Sequence, residues 1–398
     1  MNRTLVGASL GWLGISMIAD GVPALLVPYQ VAASGRDAAE LGLVTLLAIG
    51  LAAVAQPFAG AWSDRVGRRP AIGLGLLIAT SGLALILDPA ALLPGTVLAL
   101  VGASIVQAGY QGVLPDRVPS AFRGRGAGAK GFFDVGGAFL AFALLAGLLA
   151  ADKSVLSAVV LAVGLALPIV LALLLLPGGW QRARSTGDEG WGRLRAHAGL
   201  TQLIVARFCF LLGIYAVGRF LLLFIADRQG LAADAAATEA GIVLAVLTLV
   251  TAAAALPAGW LADRVGRRPL MVAGALVAAA GIGLLPLGSS APAILAFGGL
   301  MAIGSAAFGA GSWAMLADLS AGADAGRLLG IGNFGTAGAA AAAGLFGPLI
   351  DTANAASTGS GYTVAFIVAA AFAGLGALLA WRLAAIPTPA PPVFEVPN

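Results

Sequence analysis

The chain has 398 residues, of which 60% are hydrophobic and only 10% charged, and its mean hydropathy is +0.98. Soluble domains carry about 25% charged residues, so a water-soluble globular protein is excluded and lipid must solvate most of the surface. The formal charge of +4 is dispersed among short loops rather than gathered on one domain, which leaves no footprint for nucleic acid.

A spanning helix needs about 20 mostly apolar residues, and the apolar runs predict twelve. The first six are α1 over 5–33, α2 over 41–62, α3 over 70–88, α4 over 94–116, α5 over 128–151 and α6 over 155–177. The second six are α7 over 200–226, α8 over 240–261, α9 over 269–287, α10 over 293–317, α11 over 328–350 and α12 over 362–386. The first run is too long for a signal-peptide core and is expected to be retained. The 57 glycines suit helices that pack closely in a bilayer.

These runs set the expected domains: an N-terminal six-helix bundle over 1–177, a cytoplasmic linker over 178–199, a C-terminal bundle over 200–386 and a disordered Pro-rich tail over 387–398. Trp180, Trp191 and the spaced arginines of the linker suit a segment lying on the membrane face, and a plain flexible linker suits them equally. An even number of spans puts both termini on one side, with the loops after α2, α4, α6, α8 and α10. That side holds nearly all the arginines, while the opposite loops hold only Arg36, Lys153 and Arg228. By the positive-inside rule the rich side is cytoplasmic, so an integral protein of the plasma (inner) membrane with both termini cytoplasmic is expected.

One stretch occurs twice. Gly60-Ala-Trp-Ser-Asp64-Arg65-Val-Gly67-Arg68-Arg69-Pro70 returns as Gly259-Trp-Leu-Ala-Asp263-Arg264-Val-Gly266-Arg267-Arg268-Pro269, a shift of 199 residues. Each copy predicts a short charged loop between two apolar helices. Its proline falls in the first turn of the next helix, where a missing N–H costs nothing. Glu40 and Glu239 repeat at the same offset, expected just before α2 and α8, and Asp116 and Asp318 repeat at an offset of 202. Two six-helix repeats are the signature of a two-bundle transporter whose solute site lies between the bundles at mid-membrane.

The repeated stretch resembles the signature loop of the major facilitator superfamily of secondary transporters, Gly-x-x-x-Asp-Arg-x-Gly-Arg-Arg, complete in residues 60–69 and again in 259–268. A second signature of that family, Asp-x-x-Pro-x-x-x-Arg-Gly, is matched by Asp116, Pro119, Arg123 and Gly124. The resemblance covers about 5–386 and implies an all-α membrane fold of two pseudo-symmetric bundles working by alternating access. It implies a cytoplasmic gate built on Gly60, Asp64, Arg65, Gly67, Arg68 and Arg69, with Asp116, and in the second half on Asp263, Arg264, Gly266, Arg267 and Arg268, with Asp318. Topology enforcement alone also explains the arginines. Proton-driven drug exporters of the family carry an Arg where Ser104 stands here and a Gly-Pro pattern in α5 that residues 128–151 lack. The stretch from Trp313 to Asp318 before Gly326-Arg327 is similar to sugar-transporting members.

An ionisable group inside a span costs about 2.5–3.5 kcal/mol on insertion scales and is a functional candidate by default. Asp20 lies mid-way along α1 beside Pro23 and Pro28, and its partner at the 199 offset is Arg219 in α7. The two are expected to meet across the bundle interface; outward snorkelling of Arg219 is the alternative. Lys130 and Asp134, one turn apart in α5, suit a plain ion pair or, with Asp20, proton coupling. Arg207 is assigned to the inner interface. Gln107, Tyr110 and Gln111 in α4, Ser312 and Trp313 in α10, and Asn333 and Thr336 in α11 suit a polar, aromatic solute site or interhelical hydrogen bonds. The expected substrate-binding set is therefore Asp20, Gln107, Tyr110, Gln111, Arg219, Trp313 and Asn333.

With His197 and Cys209 each alone, no metal site, disulfide or nucleophile–base pair can be assembled. The reading is a secondary transporter of a small organic solute, sugar-like or another polar metabolite, in the lipid bilayer, with the proton as its candidate coupling ion. A drug-exporting antiporter and a non-transporting sensor on the same fold are the alternatives. No enzyme activity, cofactor or metal is expected, and the chain is expected to be a monomer.

Overall fold

The computed structural model describes residues 3–111, 113, 123–176, 198–319 and 335–383. Most of the expected linker, the expected tail, Asp116 and Asn333 lie outside the described residues, and of Asp318 only the backbone is described. Among the described residues the chain is helical throughout, without strands. The helices are α1 Arg3–Ala33, α2 Ala38–Val66, α3 Arg68–Leu85, α4 Leu92–Gln111, α5 Arg123–Ala150 and α6 Ser154–Leu175. After them come α7 Ala198–Gln229, α8 Ala233–Val265, α9 Arg267–Leu284, α10 Ala291–Leu319, α11 over 335–356 and α12 Gly361–Trp381. Ten of the helical runs are long and apolar enough to cross a membrane, all but α3 and α11. On α6, Val155, Val159, Val163, Leu167, Leu171 and Leu174 are exposed along one helical stripe, which only lipid can solvate.

Packing follows the repeat. In the first half α3 lies on α4, α2 on α4, α1 on α6 and α3 on α6; the second half pairs α9 with α10, α8 with α10, α7 with α12 and α9 with α12. One face of the molecule carries the start of α1, the end of α12 and the two Asp-Arg stretches, and is called the terminal face; the opposite one is the far face.

At the terminal face the structure corrects the expected loops. The helix runs on through Asp64 and Arg65 to Val66, and the next begins at Arg68, so the connection is Gly67 alone. Its φ of 100° is open to glycine and strained for any other residue, and Gly266 repeats it with a φ of 93°. Glu40 and Glu239 likewise lie inside helices, in the first turn of α2 and the second of α8, because both helices start earlier than their apolar runs. Asp37 caps α2 by accepting from the Glu40 amide at 2.9 Å.

Contacts between the bundles are concentrated toward the far face. There α2 packs on α11 and α5 on α8, and α1 meets α7 and α8 through its second half, beyond Gly21. The first seam is as tight as backbones allow: a Cβ on Gly42 would collide with the carbonyl of Gly344, and one on Gly344 with the carbonyl of Gly42. At the second seam Gly241, which repeats Gly42, faces Ala146 and Phe142. Among the described residues the bundles thus pack together at the far face, without a comparable contact at the terminal face.

Candidate functional site

The mid-depth polar residues stand on matched stripes. In α1 Trp12, Ser16 and Asp20 follow at four-residue steps, and the 199 offset carries them to Leu211, Tyr215 and Arg219 in α7. Just beyond Asp20, α1 widens into a π-turn over Val22–Leu26 that accommodates Pro23, the kind of irregularity that recurs at functional sites.

The first bundle supplies an acidic cluster. Ser16 Oγ donates to Asp134 Oδ1 at 2.5 Å, Lys130 Nζ lies 3.6 Å from Asp134 Oδ2, and the same ammonium sits 3.9 Å from the centroid of the Trp12 ring. Asp20 is partly buried and within electrostatic reach of Asp134. Asp134 bonds to α1 through Ser16, yet 39% of its side chain remains exposed, and it lies within electrostatic reach of Tyr215 on α7.

The second bundle supplies a basic one. Arg207 donates to Ser312 Oγ at 2.5 Å and lies 4.4 Å from the Trp313 ring centroid. The sequence assignment of Arg207 to the interface is corrected: α7 begins at Ala198, which sets Arg207 in its third turn, only 4% exposed. Arg219, also 4% exposed, donates through Nη2 to the Ala340 carbonyl at 3.2 Å, while its buried Nη1 has no partner among the described residues. Asp20 and Arg219 are not an ion pair in this conformation. Tyr215 lies within electrostatic reach of Asp20, Asp134, Arg207 and Arg219 alike. Ser16 and Tyr215 were not singled out from the sequence, although the repeat offset aligns one with the other.

The candidates of α4 separate. Gln107 and Gln111 are partly buried and carry no contact that commits them elsewhere. Tyr110 is fully buried, its hydroxyl accepting from the Gly11 amide at 3.0 Å and donating to the Gly7 carbonyl. Those two groups are the ends of one rung in the α1 ladder, so the phenol is inserted into the backbone of α1 and is closed to a solute here. Trp313 is 45% exposed beside Arg207. Asn333 lies outside the described residues.

At the terminal face Arg68 is buried, 3.6 Å from Asp64, and directs Nη1 at the Gly109 carbonyl of α4 at 3.5 Å. Its repeat, Arg267, donates to the Ala314 carbonyl of α10 at 3.1 Å. Arg264 and Arg268 instead lie over Trp260 and Trp381, with 3.7 and 4.9 Å to the ring centroids. Asp263, Arg65 and Arg69 are exposed. The expected pairing of the arginines with Asp116 and Asp318 falls outside the described side chains. No group of three or more His, Cys, Asp or Glu that could hold a metal occurs among the described residues. An open crevice of about 610 Å³ at the far face, bearing Asp234, Thr238 and Glu239, is separate from this mid-depth cluster.

Two mirrored helical bundles, closed on each other at one face and lined with charge at mid-depth, define an integral membrane protein of transporter architecture. The sequence matches the family model described as Major Facilitator Superfamily over residues 10–237 and again over 203–396, and the chain belongs to that superfamily. The fold is similar to that of a bacterial homologue of the human lysosomal transporter Spinster in an inward-facing, unoccupied conformation. The TM-score is 0.75 at 16% identity, covering 95% of this chain and 96% of that one. A D-xylose–proton symporter is similar with a TM-score of 0.75 at 16% identity, covering 96% and 97%. A nucleoside transporter is similar with a TM-score of 0.69 at 16% identity, covering 96% and 98%. Comparison with the curated proteins finds no significant match.

Proposed function

We propose that this protein is a secondary transporter that carries a small organic solute across the membrane by alternating access. The observation that carries the reading is the split of the mid-depth cluster. Acids on α1 and α5 belong to one bundle and arginines on α7 to the other, in a cleft whose far face is sealed. Rocking the bundles about that cluster would expose it to each face in turn. Asp20, Gln107, Gln111, Tyr215, Arg219 and Trp313 form the solute site, and Asp20, Asp134 and Lys130 carry any coupling proton. The termini face the cytoplasm, as the arginine asymmetry requires, so the conformation described here is inward-facing. The Asp64–Arg68 turn and its repeat act as the cytoplasmic gate.

The test is counterflow in proteoliposomes preloaded with candidate solutes: pentoses, hexoses, nucleosides, small carboxylates and aromatic amines. Exchange of at least one class, cut to a small fraction by Asp64→Asn, is expected. Absence of exchange for every class by correctly inserted protein, while a reference transporter works in the same vesicles, would refute the reading.

A further inference from the structure

We propose that the central site takes a small organic monocarboxylate, held by the guanidinium of Arg219. The inference rests on the central cleft being the solute site and adds the chemistry of the solute.

Arg207 and Arg219 both lie within the membrane depth of α7, and among the described residues neither has a carboxylate within ion-pair distance. Arg207 is held by the Ser312 hydroxyl, through Nη1, and by the face of Trp313, while its buried Nε has no partner among the described residues. Arg219 has a single carbonyl, that of Ala340, and an entire terminal nitrogen, Nη1, buried with nothing among the described residues to donate to. A buried guanidinium in that state costs several kcal/mol until an anion or acceptor meets it. The acids nearby do not meet it: Asp134 is taken by Ser16 and Lys130, and Asp20 forms no ion pair with Arg219.

Charge balance points the same way. Lys130, Arg207 and Arg219 outnumber Asp20 and Asp134 whether or not Asp20 holds a proton, so the described cluster carries excess positive charge. A carboxylate lowers it, and its two oxygens match the guanidinium fork. Tyr215, partly buried and within electrostatic reach of Arg219, offers an aromatic face to an apolar or aromatic body behind the carboxylate.

The test is thermal unfolding of the purified full-length protein in detergent. It is challenged with monocarboxylates from acetate to 3-phenylpropionate and indole-3-acetate, each beside its primary amide, and with phenyl phosphate, D-xylose and uridine. At least one carboxylate is expected to raise the melting temperature where its amide does not. Arg219→Gln should weaken that binding about ten- to hundredfold, the loss of a charged hydrogen bond, and Arg219→Lys should keep part of it. If Arg219→Gln does not fold, suppression of the carboxylate shift in Arg219→Lys relative to wild type serves instead. Equal shifts by acid and amide, shifts by neutral solutes or phenyl phosphate only, no shift with any carboxylate, or an Arg219→Gln protein that keeps the carboxylate preference would each overturn the proposal. Failure of the transport reading is separate: it shows as absent counterflow for every class, whereas failure here leaves counterflow of neutral solutes intact.

Discussion

The carboxylate of Asp351, on α11, accepts a hydrogen bond of 2.6 Å from the amide of Ala39, the second residue of α2. The amide is one of the donors that a helix start leaves unpaired, and the helix dipole favours an anion there. One bundle thereby caps a helix of the other, 312 residues away in sequence, beside the contact of Gly42 with Gly344. Closure of the far face thus rests on a polar latch next to a steric fit.

Asp351→Ala should loosen the latch by on the order of 1 kcal/mol, a lost helix cap. Hydrogen exchange of the amides over 38–42 should accelerate severalfold while that of α3 stays unchanged. Unaltered exchange over 38–42 would show that the glycine seam closes the face unaided.

Gly42→Ala sets a methyl against the Gly344 carbonyl and should open the far face or lower stability by about 1–3 kcal/mol, the usual cost of overpacking. Gly50→Ala, on the same helix with open space around it, is the control and should be neutral or slightly stabilising. Melting temperatures of the pair decide this; equal behaviour would contradict the tight seam.

Tyr110→Phe removes the hydroxyl that bridges Gly7 and Gly11 and should cost about 0.5–1.5 kcal/mol, the net worth of a typical buried hydrogen bond, with the KM for the transported solute unchanged. A raised KM at unchanged stability would return Tyr110 to the solute site.

Asp20→Asn should abolish accumulation driven by a pH gradient while solute counterflow persists with a raised KM, since exchange needs no net proton movement and Asp20 also lines the solute site. The groups facing Asp20 are Asp134 with its partners Ser16 and Lys130, and Tyr215. Gradient-driven accumulation that survives the substitution would transfer coupling to Asp134 or remove protons from the mechanism.

Much of this architecture is legible in the sequence, because lipid imposes long apolar runs and the repeat imposes their pairing. The 199 offset that joins Gly67 to Gly266 in sequence joins their backbone conformations as well. Helix ends were misplaced where charged residues stay helical beyond the apolar run, as Asp64 and Arg65 do at the terminal face and Glu239 at the far face. What composition conceals is long-range partnership. Nothing local to Tyr110 marks it as a graft into the ladder of α1, and nothing near Asp351 indicates the amide of Ala39. Repeat position predicts that Asp20 and Arg219 meet, whereas they form no ion pair here, and the nearness of Tyr215 to the charges of both bundles is visible only once α7 has been folded against α1.

The claim at the centre of this account is that the two bundles rock about the charged cluster. Spin-label distances test it most directly, with Cys209 replaced by Ser, one pair of labels at Ser34 and Thr358 on the far face, and another at Val66 and Val265 on the terminal face. The account predicts that Gly42→Ala lengthens the first distance and shortens the second, each shift a change in population between two distances. Distances that lengthen together, or two single distances that no substitution moves, would contradict it.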